Sequence, residues 1–578
     1  MLKEELNLCE NNLVVHLIII GFHHKKGHQI EYSYPLLNEP IDEYWSNIGG
    51  LALPDGVHQR QYDLIYFHLP SIYHQDNIHK TLFGIASYRQ IDANTVTNKE
   101  ADITRNSIQK SVCLILRQPV YGNVSEELQL LTEKYFEEKK FNERKMFEEF
   151  VDKLNKNPPK FDLKYYSARD LVCRYRRKTL ILFKLILLQK KVLFMLSPIQ
   201  NLVQTIMNLV SLIPNLVETG LNECTLIDDK SDIENEINLN ENEDIVFSRN
   251  DDKQIDFDNI KLKTLKIVGD DDNDNDDDDK LSNQFEQTNT EDIKNNLLKR
   301  ATSITNKLSD TFNRLTSTTS TSTSIAINNN ELVNLIDQYQ LSYDLFKKNN
   351  LLHPYISIYS LDIINNSNIN SYLIGASNRL YRQQNNIDFI LTDYDDDDFI
   401  IQSSLLKQQL QLTTADLRFT QLFEDSQSII QSEEEIRRLF KIYFFSLLCV
   451  ARTPNDEGMN DFNPLFVKSF QSTNAFRLWQ SKGPYPYIDQ IPPRHPQAGQ
   501  LNVNDVKLRV AHVLDDSEAG RKLKGAFEDT SQFMGEKSRA ATKVLGQAKN
   551  SLFSSVIGTI NQGKQWLSKG QSSSPTSN

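Results

Sequence analysis

The spacing of apolar residues changes several times along the chain. Val14, Val15, Leu17, Ile18, Ile19 and Ile20 form a mostly β-branched run, which predicts a buried strand. A polar turn, His23-His24-Lys25-Lys26-Gly27, follows. Ile30, Tyr32 and Tyr34 then alternate as a second strand up to Pro35. Further strands are expected over 64–69, 82–88 and 111–116. Between Ser125 and Leu154, the residues Leu128, Leu131, Tyr135, Phe147, Val151 and Leu154 recur near a helical period, as in one amphipathic helix. Asn157-Pro158-Pro159 breaks the pattern.

A second folded region opens near Phe161. Leu180–Leu188 is apolar nearly all round, which predicts a buried helix, and Val192–Leu196 reads as a buried strand. Ile199, Leu202, Val203, Ile206, Met207, Val210 and Ile213 step as a helix that stops at Pro214. This alternation argues for an α/β layer structure. Residues 223–330 are different. They are rich in Asn, Asp, Ser and Thr, and 270–279 and 317–324 are low-complexity tracts. Such a segment buries too little apolar area to offset chain entropy, so disorder is expected. Within it, Ile293, Leu297, Ala301, Ile304, Leu308, Phe312 and Leu315 keep a helical period, which predicts a helix over 291–316.

Folded character returns near 331. Strands are expected over 353–358 and 371–375, and the acidic run 393–398 marks a loop. Ser432-x-x-Glu435 is a capping-box pattern. It opens a helix carrying Ile436, Leu439, Phe440, Tyr443, Phe444, Leu447 and Leu448. Asn474–Gln480 reads as another helix, and 484–496 as a turn-rich connector. Residues 516–568 are expected as amphipathic helices and 569–578 as a frayed end.

Composition sharpens this picture. The 578 residues allow two to four domains, and 39% hydrophobic content fits a chain with one long polar segment. The formal charge of −13 excludes a globally basic nucleic-acid binder. Asp228–Lys280 holds 20 acidic and 7 basic residues, which accounts for the whole excess. The cysteines at 9, 113, 173, 224 and 449 form no C-x-x-C pair, and their odd number argues for a reducing compartment. No signal-peptide pattern opens the chain. The apolar run 13–20 is too short to span a bilayer, and Lys184, Lys190 and Lys191 interrupt the one at 179–196. Membrane association, where it occurs, is therefore expected to be peripheral and reversible, from the cytosol.

Several motifs of covalent chemistry are missing: the phosphate-binding G-x-x-x-x-G-K-[ST] loop, G-x-G-x-x-G after a strand, G-x-S-x-G and H-E-x-x-H. No cofactor is expected. Eight of the 11 histidines lie in the first 79 residues, at 16, 23, 24, 28, 58, 68, 74 and 79. With Asp55 or Asp63 they carry the residue types of a metal site. Adjacent His23 and His24 on a strand would face opposite ways, which argues against one shared ion. Basic clusters occur at 174–178 and 521–524; the first, beside a buried helix, reads chiefly as a solvated helix N-terminal turn, with phosphate or lipid head-group contact as the alternative. The strongest physical signal is the C-terminal stripe of Leu552, Phe553, Val556, Ile557, Ile560 and Leu567. It lies over a polar face of Ser, Thr, Asn and Gln, as in helices that insert into loosely packed membranes. Docking on the protein's own core is the competing use of such a stripe.

An ordered series of motifs resembles the Avl family of late secretory pathway proteins, members of the DENN-domain superfamily. The opening match is Gly21-Phe22-His23-His24-Lys25-Lys26-Gly27 with Glu31-Tyr32-Ser33-Tyr34-Pro35. It continues with Leu51-Ala52-Leu53-Pro54-Asp55-Gly56, Phe67-His68-Leu69-Pro70 and Gly84-Ile85-Ala86-Ser87-Tyr88-Arg89-Gln90-Ile91. Later landmarks are Phe183-Lys184-Leu185, Lys190-Lys191-Val192-Leu193-Phe194, His353-Pro354-Tyr355, Gly375-Ala376-Ser377-Asn378 and His495-Pro496.

The resemblance implies an α/β fold in modules. These are a longin-like upstream lobe over 1–157, and a central α/β DENN lobe over 161–222 and 331–400, split by the disordered acidic insert. A helical downstream part over 401–515 and the amphipathic tail over 516–568 complete the chain. It implies traffic from the Golgi to the cell surface, with peripheral association to Golgi, secretory-vesicle or recycling-endosome membranes. It also implies a Rab-type GTPase as partner, because many DENN proteins catalyse GDP release from Rab proteins. His23, His24, Lys25, Lys26 and Arg89 are then candidates for the GTPase-facing surface. The alternative is a non-catalytic trafficking adaptor that binds membranes through the tail.

Overall fold

A computed structural model describes residues 12–37, 45, 47–71, 80–96, 106–227, 343–393, 399–424, 432–485 and a number of positions from 488 to 512. The elements below belong to one unit formed by Met1–Glu236 and Ile325–Gln500. A second unit comprises Ile237–Ser324 and Leu501–Asn578. In it the described backbone includes a turn in which Asn502 N donates to Asp505 Oδ2 (2.6 Å) and Asp505 N to Asn502 Oδ1 (3.1 Å). The helix expected over 291–316, the tail over 516–568 and the stripe from Leu552 to Leu567 lie outside the described residues.

The first sheet is built from β1 (Val14–His23), β2 (Gly27–Tyr34), β3 (Tyr62–Pro70), β4 (Thr81–Asp92) and β5 (Ser107–Leu116). Its order is β2-β1-β5-β4-β3, all antiparallel. The β-branched run of β1 is buried in an interior strand, as its composition predicts. Strand β2 has an exposed centre and forms an edge. Its register with β1 shifts between Ile19 and Ile20, so that Glu31 is the extra residue of a bulge. The bulge turns Tyr32 and Tyr34 towards the helical side, where they donate to Glu148 (3.0 Å) and Asp152 (3.3 Å). His28 stays on the other face.

Helix α1 (Ile48–Ala52) lies between β2 and β3 in the chain. The segment read as one helix over 125–154 is two, α2 (Tyr121–Glu137) and α3 (Lys145–Lys156). The Glu138-Lys139-Lys140 stretch offers no apolar side chain to continue the stripe. Lys139 and Phe141 adopt positive φ, and Phe141 folds back against Tyr135 and Phe136.

The second sheet has the order β10-β9-β6-β8-β7. Strand β6 (Lys191–Met195) precedes the insert. β7 (Asn350–His353), β8 (Ser371–Gly375), β9 (Phe389–Thr392) and β10 (Phe399–Ile401) follow it. β6 pairs in parallel with both β8 and β9, so one sheet is assembled from chain on both sides of the insert. The strand expected over 353–358 lies earlier, at Asn350–His353, and stops before Pro354, which has no donor to offer a ladder. β9 and β10 flank the acidic run and have too little alternation to stand out in the sequence. Around this sheet lie α4 (Ala168–Tyr175), α5 (Lys178–Leu187) and α6 (Ile199–Val210). The described residues continue to Ile227. Cys224 and Thr225 are buried, so the polar insert begins later than composition places it.

The rest is helical: α7 (Ser404–Gln409), α8 (Thr414–Glu424), α9 (Glu433–Arg452), α10 (Asp456–Phe462), α11 (Pro464–Gln471) and α12 (Asn474–Ser481). Ser432 caps α9 by accepting from Glu435 N (3.1 Å). The Glu435 side chain pairs with Arg438, so only half of the expected capping box forms. No helix among the described residues is long and apolar enough to cross a membrane.

Candidate functional site: a basic hairpin beside the seam of two sheets

The β1–β2 turn has a local cause for its shape. His23 Nδ1 accepts from both Lys25 N and Lys26 N at 3.2 Å, and Gly27 takes φ +74°. The His23 and His24 rings stack with centroids 4.9 Å apart. The expectation that they face opposite ways does not hold, because strand geometry ends at His23 and His24 already lies in the turn. Among the described residues, no three His, Cys, Asp or Glu side chains gather in a way that could hold a metal ion. Lys25 and Lys26 project into solvent.

His28 carries the hairpin to the seam. Its ring sits edge-on to Tyr359, 6.4 Å between centroids. Gly49 and Gly50 of α1 make this approach feasible. A Cβ on Gly49 would stand 2.4 Å from His28 Cβ, and one on Gly50 would stand 3.0 Å from the Tyr359 ring. Around them Asn47 Nδ2 donates to Tyr359 O (3.4 Å), and Asn378 Nδ2 donates to Asp55 (3.0 Å). Arg60 donates to Ser197 Oγ (3.3 Å). These bonds join the first sheet's loops to the second sheet's loops.

The seam itself is polar. His68 on β3 donates from Nδ1 to Leu352 O (2.8 Å), since a carbonyl can only accept. Its Nε2 is then free to accept from Tyr121 OH (2.8 Å). Burial lowers the His68 pKa from 6.5 to about 3 and that of His353 to about 4, so both stay neutral. Leu352 N donates to Cys224 O (2.9 Å). The outer edge of β7 is thus satisfied by His68 and Cys224, which closes an edge that would otherwise seek another strand. Asp63 on β3 accepts from Ile199 N (3.2 Å) and Gln200 N (2.9 Å). It caps α6, a task for which the N-cap residue Pro198 provides no side-chain hydrogen bond. Burial raises the Asp63 pKa, and the N–H groups of Gln200, Leu64 and Ile199 oppose that rise.

Arg89 lies apart from this seam, on the face covered by α2. It pairs with Glu133 (2.9 Å) and lies over the Tyr62 ring at 5.9 Å. The structure therefore brings His23, His24, Lys25 and Lys26 together and places Arg89 in a contact between sheet and helix.

Comparison with known proteins decides the family. The model of the family described as transport protein Avl9 matches residues 14–449, which take in the hairpin, both sheets and the seam. The chain belongs to the Avl9 family. Over 183 residues, 31% of the chain, it is 33% identical to the late secretory pathway protein avl9 of Schizosaccharomyces pombe and covers 38% of that protein. Over 211 residues, 32% of the chain, it is 29% identical to the late secretory pathway protein AVL9 of Saccharomyces cerevisiae and covers 27% of it. These matches span well under half the length of either relative.

Within this Avl9-family chain, sequence reasoning missed His68, Asp63 and Tyr359 as seam residues. Their partners across the seam, Leu352, Ile199 and Asn47, lie more than 130 positions away, so no local pattern points to them. The signal that existed was the Phe67-His68-Leu69-Pro70 motif, a polar ring inside an apolar strand.

Proposed function

We propose that the chain is a membrane-trafficking protein of the late secretory pathway that works by binding a Rab-type small GTPase, as a DENN-type exchange factor or regulator. The observation that carries this reading is Avl9-family membership across residues 14–449, with both yeast relatives named for the late secretory pathway. The geometry is in keeping with it. A body of two sheets, locked at a hydrogen-bonded seam, holds a basic hairpin at its rim. An exchange factor makes no covalent bond. It binds the nucleotide-free GTPase more tightly than the GDP-bound form, and that difference expels GDP. A rigid composite surface serves this purpose better than a cluster of titrating groups.

The second reading is an adaptor that binds without exchange and reaches membranes through the stripe from Leu552 to Leu567. The apolar stripe in the tail sequence favours it. GDP release from a panel of purified Rab GTPases, with liposomes present, separates the two. Selective acceleration for one Rab establishes exchange. Binding without acceleration establishes the adaptor. Absence of binding to every member overturns the GTPase reading.

A further inference from the structure

Lys184 and Asp416 are 232 positions apart and fully buried, yet Nζ stands 2.5 Å from Oδ2. Helix α5 carries the lysine and helix α8 the aspartate, from opposite sides of the insert. Their surroundings are aromatic. Nζ lies 4.7 Å from the centre of the Phe466 ring, and Tyr443, Phe462 and Phe419 pack on the adjacent His495. Two charges in such a setting are costly to keep desolvated. Burial lowers the Lys184 pKa against the pull of the Asp416 charge, which favours the free amine, a nucleophile.

The carboxyl group is surrounded by the donors that acyl transfer needs. Tyr443 OH donates to Oδ1 and Thr413 N to Oδ2, both at 2.9 Å. Gln497 N donates to His495 Nδ1 (3.0 Å), so the proton of the neutral imidazole sits on Nε2. Nε2 stands 3.4 Å from Oδ1 and has no other hydrogen-bond partner among the described residues. Oδ1 thus faces two donors, while Oδ2 faces the amine.

We infer that Lys184 Nζ and Asp416 Cγ condense into an amide, a covalent cross-link between α5 and α8, with Tyr443 and His495 as donors to the oxyanion. The ion pair is the reactant. One ammonium proton passes to Oδ2 across the 2.5 Å contact, which frees the lone pair on Nζ. That pair forms the Nζ–Cγ bond, and the C=O electrons move onto Oδ1, where Tyr443 and His495 stabilise the charge. A second proton passes from Nζ to Oδ2. The Cγ–Oδ2 bond breaks with its electron pair, Oδ2 leaves as water, and the C=O bond re-forms. The ammonium supplies both protons, so no co-reactant is needed. Fixed orientation replaces a collision between two groups, and the neutral amide removes two buried charges. The link would join chain before the insert to chain after it.

The experiment is mass spectrometry of the purified, denatured full chain. Its mass is expected to fall below the sequence mass by one water molecule. Trypsin should leave the Lys184–Leu185 bond uncut and yield a branched peptide joining Lys184 to Asp416. Lys184→Met should show the full mass of its sequence. Asp416→Asn should lose ammonia in place of water and give the same linked product. After a pulse of synthesis, Tyr443→Phe should form the link about a hundredfold more slowly than the parent. An unshifted parent mass with cleavage after Lys184 overturns the inference, and it does so whether or not the variants fold. So does a lost water that maps to a cyclic imide at Asp55-Gly56, or one that persists in Lys184→Met. Equal rates in Tyr443→Phe and the parent overturn the assignment of the oxyanion donors.

Discussion

The Lys184 ammonium lies 2.5 Å from the Asp416 carboxylate, and both side chains are fully buried. Lys184 belongs to the apolar helix α5, and Asp416 to α8 on the far side of the insert. Asp416 also accepts from Tyr443 OH (2.9 Å) and Thr413 N (2.9 Å). The His495 Nε2 stands 3.4 Å from it, while Gln497 N donates to His495 Nδ1 (3.0 Å). Burial alone would raise the Asp416 pKa; the Lys184 charge and the His495 contact outweigh it and hold the carboxyl below its usual range. A charge inside an apolar helix is thereby made part of the core.

Removing one partner of this pair should be costly. Lys184→Met leaves a buried carboxylate without its counter-ion, and a loss of about 3–5 kcal/mol is expected in urea unfolding. Lys184→Met together with Asp416→Leu should recover part of that loss, because neither charge then needs solvation. A single variant as stable as the parent would show that the pair is not held as described.

Acid should destabilise the fold well above the carboxylate range. His68 titrates near 3, and His16 and His353 near 4, against 6.5 when unfolded. Each is neutral when folded and takes up a proton on unfolding below about 6.5. Stability is then complete above pH 6.5 and falls as pH drops towards 4. Replacing one of these histidines by Gln should flatten that slope by one proton, about 1.4 kcal/mol per pH unit, in unfolding measured from pH 7 to 4.5.

Two glycines should differ in their tolerance of a methyl group. At Gly49 an added Cβ meets His28 Cβ at 2.4 Å, close to the backbone, and Gly49→Ala should cost about 1–3 kcal/mol. At Gly21 it meets the far end of Glu31, which lies across β1 to reach Lys110. That end can swing away, so Gly21→Ala should lose little more than the partly exposed ion pair, about 1 kcal/mol or less. Equal costs would contradict the packing at α1.

Deleting residues 230–285 should leave the thermal midpoint of the folded part nearly unchanged, as an acidic, polar stretch contributes no core. Replacing Phe553 and Ile557 by Glu should abolish flotation with loosely packed liposomes if the stripe inserts. A fall of many degrees in the first case, or unchanged flotation in the second, would overturn these readings.

The sequence by itself determined the strongly patterned elements. The β-branched run of β1, the apolar step of α6 and the capped helix α9 each carry their signal within a dozen or so residues, because strand and helix periods are local. The motif series also located the hairpin. Only the tertiary structure decided the rest. It split 125–154 at Phe141, where burial against Tyr135 outweighs helical continuation. It stacked His23 on His24 and committed Arg89 to Glu133. It paired β6 with strands beyond the insert and set Lys184 against Asp416. It also placed Tyr359 beside His28, 331 positions apart in the chain. A one-dimensional pattern records the period of an element; its partner is chosen by shape, charge and desolvation once the chain has closed on itself.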